Sequence, residues 1–139
     1  MTQIHRGGCL CGAVRFTTSG RLRGVVYCHC TQCRRQTGHF VAATSAPDAA
    51  LSVEGNGNLA WYGASAHAKR GFCRTCGSLL FWKQEGTDTT SIMAGAFDRP
   101  SGLAGDSHIF VADKGDYYEI NDGLPQFADY ETPVAVARG

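Results

Sequence analysis

Polar and apolar residues alternate over short stretches along much of this chain. In Gly12-Ala13-Val14-Arg15-Phe16-Thr17, Val14 and Phe16 share one face and Arg15 and Thr17 the other, ending at Ser19-Gly20. That period of two predicts a half-buried strand. Val25-Val26-Tyr27 reads as a second strand, and His39-Phe40-Val41-Ala42-Ala43 as a third that stops by Pro47-Asp48. Leu51-Ser52-Val53 and Leu59-Ala60-Trp61-Tyr62 flank Gly55-Asn56-Gly57-Asn58, a strong turn signal. Further strands are expected at Ser78-Leu79-Leu80-Phe81-Trp82, Ser91-Ile92-Met93-Ala94-Gly95 and His108-Ile109-Phe110-Val111. One short helix is expected, Thr31 to Gln36, with Thr31 as its N-cap. No linker or repeat divides the chain, so the pattern predicts one all-β domain over 1–139 with at most one or two helical turns.

Composition sharpens this. The 139 residues are 43% hydrophobic and 18% charged, which fits a packed globular chain rather than a disordered one. Glycine, 18 of 139, suits short strands joined by tight turns. No apolar run approaches the ~18 residues of a membrane span. Met1-Thr2-Gln3-Ile4-His5-Arg6 lacks the apolar core of a signal peptide, so a cytoplasmic location is expected. Charge is uneven: ten Lys and Arg against two acids up to Lys83, three against ten beyond it, for a net +1. Only Arg34-Arg35 and Lys69-Arg70 are adjacent basic pairs, too few for a nucleic-acid stripe.

The seven cysteines carry the chemistry. In a reducing cytosol disulfides are rare, and an odd number cannot all pair within one chain. They fall as Cys9-x-Cys11, Cys28-x-Cys30-x2-Cys33 and Cys73-x2-Cys76. Such spacings let thiolates grip one ion from a tight turn. Zinc takes four ligands at a structural site and three plus an open position at a catalytic one. Cys9, Cys11, Cys73 and Cys76 would close one site, leaving Cys28, Cys30 and Cys33 for an open one. Spacing favours this partition but does not exclude others, for instance Cys28 joining the first pair. Gly12 and Gly77 follow Cys11 and Cys76 where the backbone must turn its amides towards sulfur. Iron–sulfur spacings fit less well.

Smaller expectations attach to other residues. Arg34 and Arg35 follow the central triplet and could clamp a carboxylate-bearing substrate. His29 lies between two cysteines and is expected to point away from the ion; a surface role is expected ahead of proton handling behind the ligands. His39, His67 and His108 have no partner in sequence and read as ordinary strand or loop residues. Trp61, Tyr62, Phe81 and Trp82 read as core or sheet aromatics ahead of a substrate wall.

Three stretches resemble a known family. Gly8-Cys9-Leu10-Cys11-Gly12-Ala13-Val14-Arg15-Phe16, Cys28-His29-Cys30-Thr31-Gln32-Cys33-Arg34-Arg35-Gln36-Thr37-Gly38 and Phe72-Cys73-Arg74-Thr75-Cys76-Gly77-Ser78-Leu79-Leu80-Phe81 are similar to motifs of the glutathione-dependent formaldehyde-activating enzymes. The tail, His108-Ile109-Phe110-Val111 through Asp122-Gly123-Leu124-Pro125-Gln126-Phe127, is similar to the family's ending. The domain is shared with centromere protein V. The resemblance implies small antiparallel sheets in a β-tent and two zinc ions per chain. It assigns Cys9, Cys11, Cys73 and Cys76 to a structural ion and Cys28, Cys30 and Cys33 to a catalytic one. It also implies carbon–sulfur lyase chemistry, with glutathione and formaldehyde as small-molecule partners; hydropathy argues against a membrane and the charge pattern against nucleic acid as partner. The competing expectation is a zinc-stapled binding module without activity.

Overall fold

The computed structural model of the chain describes residues 3–135. Its strands are β1 (Ile4–Gly8), β2 (Arg15–Ser19), β3 (Val25–Cys28), β4 (Val41–Pro47), β5 (Leu51–Glu54) and β6 (Leu59–Tyr62). Beyond these come β7 (Ala68–Cys73), β8 (Leu79–Gln84), β9 (Thr89–Met93), β10 (Gly105–Ile109), β11 (Gln126–Phe127) and β12 (Pro133–Val134). The one α-helix among the described residues, α1 (Thr31–Thr37), joins β3 to β4. The fold is nearly all-β, as the alternation predicts. No helix among the described residues is long and apolar enough to cross a membrane.

The chain divides into two compact units. The first comprises the chain up to Arg23 with Thr44–Leu103. The second comprises Gly24–Ala43 with the chain from Ala104 onward.

In the first unit, β2 pairs antiparallel with β1 and with β5. A second set, β6-β7-β8-β9, runs as an antiparallel meander. Alternation along β2 buries Phe16, which shares one core with Val14, Ile92 and Phe97 and with Leu80 and Phe81, adjacent residues of β8 that are both buried. Phe16 meets Phe81 and Phe97 edge-on, at ring separations of 5.7 and 5.1 Å. Gly7 makes this possible: a Cβ there would lie 2.5 Å from the Phe16 ring and 2.3 Å from the Ala96 carbonyl oxygen. The expected turn at residues 55–58 forms, but β5 and β6 on either side of it pair with different neighbours.

One ion pair closes the β8–β9 end. Lys83 Nζ donates to Asp48 Oδ2 at 2.5 Å, and Thr90 Oγ1 donates to Asp48 Oδ1 at 2.6 Å. These two donors hold the Asp48 carboxyl below the usual carboxylate range. A depressed folded-state value means stability that is present above the unfolded value and lost as the pH falls through the folded one. Because the pair is partly exposed, Asp48→Asn should cost only a few tenths of a kcal/mol near neutrality. Urea midpoints of variant and wild type should converge as the buffer is acidified below about pH 3.

In the second unit, β3 pairs antiparallel with β4 and parallel with β10, placing Ile109 opposite Cys28 and His108 opposite Tyr27. β10 continues in parallel to β11, which turns back on β12. α1 begins where β3 ends. Its N-cap is Cys30, not Thr31 as the sequence suggested: Cys30 is extended (φ −64°, ψ 161°) and its Sγ accepts from Cys33 N–H. A sulfur thus takes the place of the expected hydroxyl. Gly38 ends the helix at φ 83°, its N–H returning to the Arg34 carbonyl oxygen.

Candidate metal centres

The first centre is built from two hairpin turns. β1 and β2 are joined through Cys9–Val14, and β7 and β8 through Cys73–Ser78. The two turns repeat one pattern. Cys9 N–H bonds the Val14 carbonyl oxygen at 3.0 Å, and Cys73 N–H bonds that of Ser78 at 3.0 Å. Gly12 N–H returns to the Cys9 carbonyl oxygen at 3.2 Å and Gly77 N–H to that of Cys73 at 2.7 Å. Both glycines sit at positive φ, +82° and +81°, a region costly for any residue carrying a Cβ.

The result is four converging sulfurs. Cys9, Cys11, Cys73 and Cys76 place their Sγ atoms within 4.8 Å of one another. A tetrahedral ion with bonds of about 2.3 Å needs sulfur–sulfur edges of about 3.8 Å. Cys9–Cys11 is 3.6 Å and Cys11–Cys73 is 3.8 Å. The donor set therefore fits zinc. Val14 N–H donates to Cys9 Sγ at 3.2 Å. The Ser78 hydroxyl lies 3.2 Å from Cys76 Sγ and accepts from Leu10 N–H at 3.0 Å, linking the two turns. Through its hydroxyl and amide, Ser78 pulls the Cys76 thiol down to about 5. Burial pushes Cys9 up, yet the Val14 amide and the neighbouring sulfurs outweigh it and lower that thiol. These surroundings favour thiolate at Cys9 and Cys76. At Cys11 the lowering by the Ala13 amide is outweighed by burial and the neighbouring thiols, which push it up to about 11.

The second centre lies in the other unit. Cys28 ends β3, Cys30 caps α1 and Cys33 occupies its first turn, with all three Sγ atoms within 4.8 Å. Cys33 is buried and the other two are half-buried. The side chains of Cys30 and Cys33, and then burial, push the Cys28 thiol strongly upward. Three thiolates cannot share this space without a cation, so the donor chemistry again fits a metal. Among the described residues no histidine or carboxylate joins the triplet.

His29 shows why none does. Expected at the surface, it is wholly buried, and both ring nitrogens are engaged away from the sulfurs. Its Nδ1 meets the Tyr118 hydroxyl, and its Nε2 lies 2.8 Å from His108 Nδ1. His108, expected to be an ordinary strand residue, is 4% exposed and its Nε2 lies 2.7 Å from Asp122 Oδ2. Burial, then the charge of His108, holds the His29 imidazole down to about 4. The partners of His29 leave no mark in the sequence, because the members of this line lie 14, 79 and 89 residues apart. Only the short Cys-His-Cys spacing hinted that His29 belonged to a built site.

Arg34 is half-buried and Arg35 exposed, both on α1 next to Cys33. Burial raises the Tyr118 phenol, and the nearby Arg34 charge opposes that rise. His39 pairs with the Tyr117 hydroxyl at 2.8 Å. Trp61 and Tyr62 lie exposed on β6, with Lys69 Nζ 4.5 Å above the Trp61 ring, whereas Phe81 is core.

Comparison with known proteins agrees with this geometry. The family described as glutathione-dependent formaldehyde-activating enzyme matches residues 4–113. A Schizosaccharomyces pombe protein described as an uncharacterized lyase is 27% identical over 135 residues, covering 96% of this chain and 98% of its own. The crystal structure of a Rhodobacter sphaeroides protein matches with a TM-score of 0.56 and 28% identity, over 66% of this chain and 85% of that one.

Proposed function

We propose that this chain, which belongs to the glutathione-dependent formaldehyde-activating enzyme family, is a carbon–sulfur lyase whose reaction centre is Cys28, Cys30 and Cys33. Its reaction interconverts a thiol, glutathione or one like it, and formaldehyde or another small aldehyde with the S-hydroxymethyl adduct. In the forward direction a C–S bond forms at the carbonyl carbon, and the thiol proton ends on the former carbonyl oxygen. Cys9, Cys11, Cys73 and Cys76 hold a structural zinc, so each chain carries two ions.

The observation that carries this reading is the incomplete triplet. Three sulfurs converge, and the one histidine flanked by them is tied up elsewhere. A purely structural second ion would call for a fourth protein ligand, and none is present among the described residues. Zinc bound there would supply an open position at which a substrate thiol is held deprotonated.

The chain's own residues supply the rest. α1 fixes Cys30 and Cys33 relative to the end of β3, so the open side of the triplet has a set direction. Arg34 and Arg35 offer guanidinium groups to the two carboxylates of glutathione, and holding the thiol in place removes part of the entropy of encounter.

The test is zinc stoichiometry combined with exchange NMR on a thiol–formaldehyde mixture. Two zincs per chain and a saturable rate enhancement over the free reactants support the reading. Exchange no faster than in free solution removes the reaction. Arg34→Gln should raise the half-saturating glutathione concentration roughly tenfold, the worth of one charge-assisted hydrogen bond, without altering zinc content. A thiol without carboxylates, such as 2-mercaptoethanol, should be unaffected by that change.

A further inference from the structure

Four side chains of the second unit form one unbroken hydrogen-bonded line: Asp122, His108, His29 and Tyr118. Only the two ends reach solvent; His29 is wholly buried and His108 nearly so. The rings are held in place by aromatic packing. Tyr27 stacks on His108 with ring centroids 4.9 Å apart, and Phe40 lies 4.9 Å from His29. The line is anchored beside the triplet, because His29 is the residue between Cys28 and Cys30, and the charge of Arg34, next to Cys33, reaches Tyr118.

Its direction is dictated from one end. A carboxylate can only accept, so His108 Nε2 carries the hydrogen it shares with Asp122. In a neutral imidazole His108 Nδ1 is then the acceptor, which makes His29 Nε2 a donor and His29 Nδ1 an acceptor in turn. The Tyr118 hydroxyl must therefore donate inward, to His29. Its oxygen keeps its lone pairs for whatever lies on its other side, and Tyr118 is only half-buried. No imidazole changes charge in this arrangement; each tautomer follows from the one before it.

We propose that Asp122 is a positioning residue for the three-cysteine site: through His108 and His29 it points the Tyr118 hydroxyl hydrogen inward, leaving the phenol oxygen to accept a hydrogen bond from substrate. The inference rests on the reaction proposed above. The matching donor is the hydroxyl of the S-hydroxymethyl adduct, which the parent thiol lacks. Tyr118 therefore distinguishes adduct from thiol, and Asp122 sets that preference from the far end of the line.

The experiment uses zinc-loaded protein, with histidine ring nitrogens read by 15N NMR about two pH units above the ordinary histidine value, so that neutral rings are observed. His29 and His108 should each show a protonated Nε2 and a bare Nδ1. In Asp122→Asn the side chain can donate as well as accept, so both rings should drift to mixed tautomers. Asp122 is half exposed, so the variant should remain folded. In exchange NMR, Asp122→Asn and Tyr118→Phe should each slow adduct turnover roughly tenfold, the worth of one hydrogen bond made in the transition state, with half-saturating thiol unchanged. The double variant should be no slower than Tyr118→Phe alone, because Asp122 acts through that hydroxyl. A protonated Nδ1 on His29 in the wild type overturns the proposal, as do unchanged tautomers in Asp122→Asn. Losses that multiply in the double variant also overturn it. A wild type with no accelerated exchange sinks the lyase reading instead, and the tautomers then still decide whether Asp122 orients the line.

Discussion

Cys73→Ser should leave the first unit without a cooperative melting transition and the chain with one zinc fewer. Cys73 is wholly buried and belongs to the same core as Phe16, Leu80 and Phe81, so its sulfur is both ligand and packing atom. It ends β7, and its thiol lies 3.8 Å from that of Cys11, on the turn that leads into β2. An ion at this centre therefore ties two hairpins of unrelated sequence position. The magnitudes decide the outcome. Structural zinc in small domains contributes about 10–16 kcal/mol of apparent binding free energy, and the whole stability of a domain is about 5–15 kcal/mol. Emptying a core position such as Phe16 by truncation to alanine costs about 3–5 kcal/mol, a smaller fraction. Circular dichroism melts with metal analysis check this, and a zinc chelator should do to the wild type what the substitution does. If Cys73→Ser loses zinc yet melts like the wild type, the four-cysteine centre does not hold the fold together.

The short cysteine pieces were legible in the sequence because each is local, although spacing alone left open which pieces share a centre. Cys9-x-Cys11 and Cys73-x2-Cys76 each sit in one tight turn, and Gly12 and Gly77 mark the positive-φ positions that aim amides at sulfur. Strands with a clean alternation, such as β2, were legible for the same reason, as was β6, read residue for residue. β1 and β7 were not. Ile4-His5-Arg6-Gly7-Gly8 and Ala68-Lys69-Arg70-Gly71-Phe72-Cys73 each carry two adjacent polar residues, with two glycines in the first and one in the second, and they form because β2 and β8 offer edges to pair with. The parallel pairing of β10 with β3 is equally silent, since a register between residues about eighty positions apart leaves no local trace. That pairing sets His108 beside Tyr27, one residue from Cys28, and so brings the Asp122 line to the triplet. The cysteines that could hold metal were readable along the chain, whereas the polar groups around them required the folded structure.

Cys30→Ser should abolish accelerated adduct exchange and remove the second zinc, while the protein keeps its fold. The residue has two jobs, and the substitution separates them. As N-cap of α1, Cys30 accepts the Cys33 N–H at 3.4 Å, a long contact to a weak acceptor. Serine is among the preferred N-cap residues and can take over that bond, so α1 should be retained or slightly stabilised. As a ligand, however, a neutral hydroxyl cannot replace a thiolate. With only Cys28 and Cys33 left, and no histidine or carboxylate joining them among the described residues, two sulfurs must hold the ion. Losing a group that merely orients a ligand weakens metal binding about 10–100-fold, so losing the ligand itself should exceed a hundredfold. Zinc content should therefore fall from two to one, with a melting curve close to that of the wild type. The contrast with Cys73→Ser is the decisive feature, because both variants make the same chemical change. Unfolding of Cys30→Ser to the same degree would mean that the triplet's ion is structural as well. Undiminished exchange in a folded variant that has lost its second zinc would move the reaction away from the triplet altogether.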